Sequence, residues 1–142
     1  MLTENDVIDA VASYLVSKGY NIVSQCSTVQ QGIDIVAVCK STNARVLVEA
    51  KGGTSSKNGS SRFGKPFTLN QAKNHVAVAF YYAAKLLQNN SELSPRIALA
   101  FPDDDNHRLL INNIITALEI LGISVFFVDE CRNVRMIIGQ PI

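Results

Sequence analysis

The stretch Gly32-Ile33-Asp34-Ile35-Val36-Ala37-Val38-Cys39-Lys40-Ser41-Thr42-Asn43-Ala44-Arg45-Val46-Leu47-Val48-Glu49-Ala50-Lys51 decides how this chain folds. Two apolar runs rich in β-branched residues flank a short polar segment. That pattern predicts a strand over 33–39, a four-residue turn over 41–44 and a returning antiparallel strand over Arg45–Ala50. With that turn, Lys40 opposes Arg45, Val36 opposes Glu49 and Asp34 opposes Lys51. Opposed residues share a face of the sheet, so Asp34, Glu49 and Lys51 point one way and Ala50 the other. A slip of one residue would send one strand's set to the opposite face.

Charged side chains are costly in such apolar surroundings unless they pair or hold a metal. Two readings of the trio stay open. In one, Asp34 and Lys51 form a cross-strand ion pair and Glu49 lies at an edge; pairs of that kind are common and weak. In the other, Asp34 and Glu49 hold a divalent cation, with the backbone carbonyl of Ala50 as a further ligand. Mg²⁺ suits that site because it takes oxygen ligands and keeps several waters, so two carboxylates and a substrate phosphate suffice. Lys51 would then stabilise an anionic transition state or position and deprotonate the attacking water. As a base it would need a pKa far below about 10.4. The flanks Ile35–Val38 and Val46–Val48 read as a buried central hairpin, which favours the metal–phosphate reading.

Outward from the hairpin, the chain alternates helices and strands. Residues 4–18 have an apolar stripe, Ile8, Val11, Ala12 and Leu15, with Thr3 as N-cap, Asp6 three residues on and Gly19 as the stop. Short strands are expected at 21–25 and 96–100 and a long helix at 70–88. A third helix is expected over 105–121, capped by an Asp, followed by strands at 124–128 and 134–138. The predicted order is α-β-β-β-α-β-α-β-β, an α/β fold with a central mixed sheet flanked by helices. At 142 residues the chain fits a single domain over 1–142. No run of eighteen apolar residues argues for a membrane span. The acidic, amphipathic N-terminus is unlike a signal peptide. Three widely spaced cysteines, Cys26, Cys39 and Cys131, suggest neither a disulfide framework nor a zinc site, which points to the cytoplasm.

The residues Gly32-Ile33-Asp34 and Val46-Leu47-Val48-Glu49-Ala50-Lys51-Gly52 resemble the PD-(D/E)XK nuclease superfamily, the restriction-endonuclease-like fold. The preceding helix, Gly19-Tyr20 after it and the α-β-β-β-α-β order are similar too, so the likeness covers roughly the first 100 residues. Small members such as Holliday-junction resolvases and methylated-DNA restriction enzymes are the most similar. Ile33 stands where the family name has Pro, a departure that many members share. The resemblance implies a restriction-endonuclease-like fold and a metal-dependent endodeoxyribonuclease in which Asp34 and Glu49 bind Mg²⁺ or Mn²⁺ and Lys51 assists the water. It also implies a Glu from the first helix. Glu4 is in line with the apolar stripe and Asp9 is off it, which selects Glu4. Glu4 could equally complement the helix N-terminus.

No Asp or Glu occurs from Ala50 through Ser91, a stretch holding Lys51, Lys57, Arg62, Lys65, Lys73 and Lys85. Such a block suits an anionic partner, DNA above all, or is a solvated surface balanced elsewhere in the fold. Residues 52–68 read as a mobile basic loop, with Lys57, Arg62, Lys65, Gln71 and Lys73 as DNA contacts and Phe63 or Phe67 packing or stacking. The run from Gly59 to Lys65 has the spacing of a phosphate-binding loop, but Pro66 replaces the required Ser or Thr. His75, Val78 and Tyr82 form a second, less polar face of the long helix, suited to other parts of the fold or to a partner subunit. A homodimer or association with a partner protein fits the absence of a separate recognition domain. Asp103-Asp104-Asp105 reads as turn and cap, with His107 exposed. The rival to a nuclease is a non-catalytic DNA-binding or regulatory subunit with the same fold.

Overall fold

The computed structural model describes residues 1–27, 32–55, 64–139 and 142. Six strands form one mixed sheet in sequential order: β1 (Tyr20–Gln25), β2 (Ile35–Cys39), β3 (Arg45–Ala50), β4 (Arg96–Pro102), β5 (Ser124–Val128) and β6 (Val134–Ile138). β1–β2–β3 is an antiparallel meander; β3–β4 and β4–β5 pair parallel, and β6 returns antiparallel. The parallel pairs need crossovers. α2 (Leu69–Asn89) supplies the first, followed by a short 3₁₀ turn; α3 (Asp105–Asn112) and α4 (Ile115–Leu121) supply the second.

Helices cover both faces, so the central strands are apolar on both sides. From Val46 to Ala50 every residue of β3 is buried. α1 (Glu4–Ser17) lays Val7, Ile8, Val11 and Leu15 on one face, over Ile35, Val46, Val48 and Phe126. Ala37, Ala50, Ala98 and Ala100 on that face leave room for the helix to approach. The other face gathers Leu47, Leu99, Phe101 and Phe127 under α2, α3 and α4. No helix among the described residues is long and apolar enough to cross a membrane.

Both long helices start as their sequences dictate. Thr3 caps α1 with a reciprocal box: its hydroxyl accepts from the Asp6 amide at 3.2 Å, and the Asp6 carboxylate accepts from the Thr3 amide at 2.9 Å. Thr68 and Gln71 repeat this arrangement at α2. The expected third helix is two. α3 ends near Asn113, and Ile114 leaves helical geometry at φ −123° before α4 begins. Ile111 and Leu118 are both fully buried, one from each half, and Ile114 and Ile115 pack partly into the same core. The break lets both short helices turn apolar residues to the sheet without a Pro or Gly to announce it.

The hairpin register differs from expectation by two residues. Val36 pairs with Leu47 and Val38 with Arg45, not Val36 with Glu49. The turn residues are 40–43, closed by the Cys39 amide donating to the Ala44 carbonyl at 2.8 Å. Asn43 adopts a left-handed conformation, φ 61°, which Asn tolerates better than most residues and which brings the strands together one residue earlier on each side. A slip of two preserves the faces, so Asp34, Glu49 and Lys51 still share one side.

His107 is not exposed; only 1% of it reaches solvent. Its Nδ1 meets the Asp104 carboxylate at 2.8 Å and its ring stacks on Phe101. Asp104 is the N-cap of α3 and also accepts from the His107 amide. The loop after β3 is likewise tied at its described ends. Gly53 donates its amide to the Leu2 carbonyl at 2.9 Å, and Phe67 donates to the Gly53 carbonyl at 3.0 Å. Residues 56–63, including Lys57, Arg62 and Phe63, lie outside the described residues.

Candidate active site

Continuing the β2–β3 register by one residue places Asp34 opposite Glu49. Both are nearly buried, at 8% and 9% exposure, and both line a cleft of about 580 Å³ on the α2 side of the sheet. Lys51 is the next outward residue on that face. Its amide donates to the Ala100 carbonyl at 3.0 Å, which extends the β3–β4 ladder and fixes the start of the side chain. Asp34 Oδ2 accepts the Ala50 amide at 2.7 Å, so the main chain next to Glu49 orients the first carboxylate. The Ala50 methyl is fully buried on the α1 side, as the alternation requires.

Glu4 comes from the helix on the opposite face, yet it lines the same cleft. The chain geometry at Gly52 explains this. A Cβ there would run into the Glu4 amide nitrogen and lie 2.7 Å from the Thr3 carbonyl carbon. Only glycine lets the start of α1 close over the end of β3, and that closure carries Glu4 round the strand end. Lys51 Nζ lies 3.4 Å from Glu49 and 4.0 Å from Glu4. Asp9, the rejected acid, is exposed on the far side of α1 and accepts from Gln25 Nε2.

Glu49 and Glu4 thus flank the one ammonium group, Asp34 also feels its charge, and burial lifts all three carboxyls above their ordinary values. Burial pushes Glu49 up to about 7; the Asp34 charge adds to this and Lys51 opposes it. Burial also raises Asp34, against the Ala50 amide and Lys51. Glu4 is raised by burial and by Asp34, with Lys51 opposing. If all three acids ionise, the group carries two net negative charges, the complement of one divalent cation.

The donor set suits such an ion. Asp34 keeps one carboxylate oxygen outside its bond to Ala50, and Glu49 stands across the strand pair from it. No group of three His, Cys, Asp or Glu side chains among the described residues forms a metal cage by itself. Asp34 and Glu49 would be the side-chain donors, a number sufficient for Mg²⁺, which takes one or two carboxylates and fills the rest of its shell with water and phosphate oxygens.

No family model and no curated protein matches this sequence. Fold and site geometry therefore carry the functional reading.

The other expected contacts lie elsewhere. Lys65 and Lys73 are exposed and do not line the cleft. Gln71 uses its carboxamide oxygen to cap α2. The residues that do complete the cleft come from the far half of α2: Tyr82, Lys85, Leu86 and Asn89. Sequence reasoning put Tyr82 on a second face of that helix and Lys85 in the acid-free block. The spacing of 82, 85 and 89 marks one helical stripe, but that it borders the carboxylates follows only from how α2 crosses the sheet.

Proposed function

We propose that this protein is a Mg²⁺-dependent nuclease of the PD-(D/E)XK superfamily, with a restriction-endonuclease-like fold, that hydrolyses phosphodiester bonds in DNA. The observation that carries the reading is the convergence of Asp34, Glu49, Lys51 and Glu4 in one cleft, with a charge surplus that a divalent cation matches. The α-β-β-β-α-β succession and the antiparallel-then-parallel sheet support the same assignment.

Asp34 and Glu49 would hold the ion, with the Ala50 carbonyl as a further ligand. When bound, the ion supplies an acidified water and screens charge on the phosphate. Glu49 must be ionised to serve, so its raised pKa makes the site depend on pH near neutrality. Lys51 lies beside Glu49 with 16% of its side chain exposed, so its ammonium can reach a phosphate oxygen at the cleft without leaving its anchored backbone. Glu4 lies 4.0 Å from Lys51 on the other side and, when ionised, would be the carboxylate available to take up a proton in the cleft.

The test is nicking of supercoiled, single-stranded and branched DNA by the wild type and by Asp34→Ala. Cleavage is expected in Mg²⁺ or Mn²⁺ and not in EDTA, with a loss of about 10²–10³-fold or more in the variant. Cleavage that Asp34→Ala leaves unchanged overturns the assignment. DNA binding without cleavage in either metal supports the non-catalytic DNA-binding or regulatory role instead.

A further inference from the structure

The cleft has a wall that phosphodiester hydrolysis does not by itself require. Tyr82 is 45% exposed and Tyr81 62% exposed, side by side on α2. Their rings meet edge to face at 6.0 Å between centroids. Lys85 Nζ lies 5.6 Å from the centre of the Tyr82 ring and 5.8 Å from that of Tyr81. Lys85 makes no ion pair among the described residues, although three carboxylates share its cleft. A lone exposed tyrosine needs no explanation. Two adjoining ones set edge to face, with an ammonium group against both rings and with Tyr82 and Lys85 lining the same cleft as the acids, form a surface that is aromatic and positive.

Three chemical features of that surface select an occupant. A ring face offers stacking to any base, because every base has a π-face. The ammonium group adds attraction for a phosphate one step along the strand. Continuity with Asp34 and Glu49 means that a strand lying on the tyrosines enters the cleft with its backbone toward the carboxylates. A continuous duplex keeps its base faces covered by neighbouring bases and offers nothing to Tyr82. An unpaired nucleotide does. The cleft volume of about 580 Å³ lies within the range of small-molecule sites and accommodates a single nucleotide.

We propose that Tyr82, with Tyr81 and Lys85, forms a stacking subsite for an unpaired base of DNA, so that the preferred substrate carries an unpaired nucleotide beside the scissile phosphate. This rests on the nuclease reading above, and it narrows the substrate class to single-stranded or branched DNA. Tyr82 is a specificity residue in this scheme and takes no part in the chemistry at phosphorus.

The experiment measures binding in EDTA, where cleavage does not interfere. A short single-stranded oligonucleotide carrying 2-aminopurine and a blunt duplex of the same length are titrated with wild type, Tyr82→Ala, Tyr82→Phe and Lys85→Gln. The single strand is expected to bind more tightly than the duplex, with 2-aminopurine emission quenched. Tyr82→Ala should weaken binding about 5- to 100-fold and restore the emission, while Tyr82→Phe stays close to wild type. Lys85→Gln should lower the salt dependence by about one counterion. Equal affinity for both DNAs, or affinity and emission indifferent to Tyr82→Ala, overturns the subsite. So does a dimer in sedimentation that Tyr82→Ala dissociates while DNA affinity is unchanged, since the face is then an interface between copies. The two readings fail separately. Metal-dependent nicking with no effect of Tyr82 sinks the subsite alone; Tyr82-dependent binding with no nicking sinks the nuclease alone.

Discussion

Two neighbouring strand ends in this molecule carry carboxylates in opposite electrical states. Just past β4, Asp103 receives hydrogen bonds from Arg135 and Arg108. The Arg135 guanidinium, then Arg108, holds its carboxyl below the ordinary aspartate value. At the end of β3, three carboxylates divide one ammonium group, and burial raises all three. A carboxylate kept for folding is matched by the chain's own cations, as at Asp103. Under the proposed function, the carboxylates at the end of β3 are left short of cations because a ligand supplies the charge, and the shortage costs stability until it binds. The contrast separates acids that look alike in sequence: Asp103-Asp104-Asp105 is the denser cluster, yet it serves as turn, cap and ion-pair network.

The sharpest way to break the contrast is to dismantle the three-acid cluster without touching a charge. Gly52→Ala does this. The new methyl group would collide with the backbone at Thr3 and Glu4, and backbone cannot swing aside as a flexible side chain does. Overpacking at such a contact should cost about 3 kcal/mol, read as a lower urea midpoint. If α1 lifts to relieve the clash, Glu4 departs and Lys51 loses one of its two acidic partners. Unchanged stability and unchanged activity together would mean that the closure of α1 over β3 is not what places Glu4.

A smaller effect comes from Glu49→Gln. In the folded protein Glu49 titrates at about 7, against an ordinary value of 4.5. Between those two values the folded state binds more protons than the unfolded chain. Stability therefore falls as pH rises through that window, and the loss is complete above about pH 7. Thermal melts of metal-free wild type should show this decline from pH 5 to 8, and Gln should flatten it. At pH 8 the variant should be the more stable by about 1 kcal/mol, a modest gain because the carboxylate keeps some solvent access. Mg²⁺ should stabilise wild type more as pH rises toward 7 and should do little for the variant. A wild-type profile as flat as the variant's would remove the shortage of positive charge from the site.

The strands, the long helices and the acids of the cleft were legible in the sequence because each rests on a parity or a period. Asp34, Glu49 and Lys51 share a face under either register, since a two-residue slip leaves parity intact. An acid from the first helix was expected only from the resemblance; the stripe with Ile8, Val11 and Leu15 chose Glu4 over Asp9, and its arrival in the cleft depends on the close approach at Gly52. The slip itself came from Asn43, whose left-handed conformation the sequence allows and does not compel. The split between α3 and α4 has no local marker; it follows from both halves burying apolar residues against one sheet. His107 looked exposed because nothing beside it signals burial. Its partner Asp104 is three residues away, but the Phe101 ring that covers it arrives on a strand. Tyr82 and Lys85 stayed detached from the site for the same reason: the distance between α2 and the β2–β3 hairpin is set by tertiary packing, not by spacing along the chain.

The smallest expected effect completes the comparison from the saturated side. Asp103→Ala removes a carboxylate that is held by two guanidinium groups, both of them about half exposed. Exposed pairs contribute little, and a network of two should be worth about 0.5–1 kcal/mol at neutral pH. Because the folded-state pKa of Asp103 is depressed, this stabilisation is present above the ordinary value of 3.8 and vanishes as pH falls through the folded value. Wild type and variant should therefore differ in thermal midpoint at pH 7 and converge near pH 2–3, which is the reverse of the Glu49 profile. High salt should narrow the gap at pH 7, since screening weakens pairs this open to solvent. Metal-dependent DNA cleavage should stay within a factor of two or three of wild type. A loss of cleavage as deep as that of Asp34→Ala, in a variant that still folds, would mean that the paired cluster belongs to the site after all, and that saturation by arginine does not mark a carboxylate as structural.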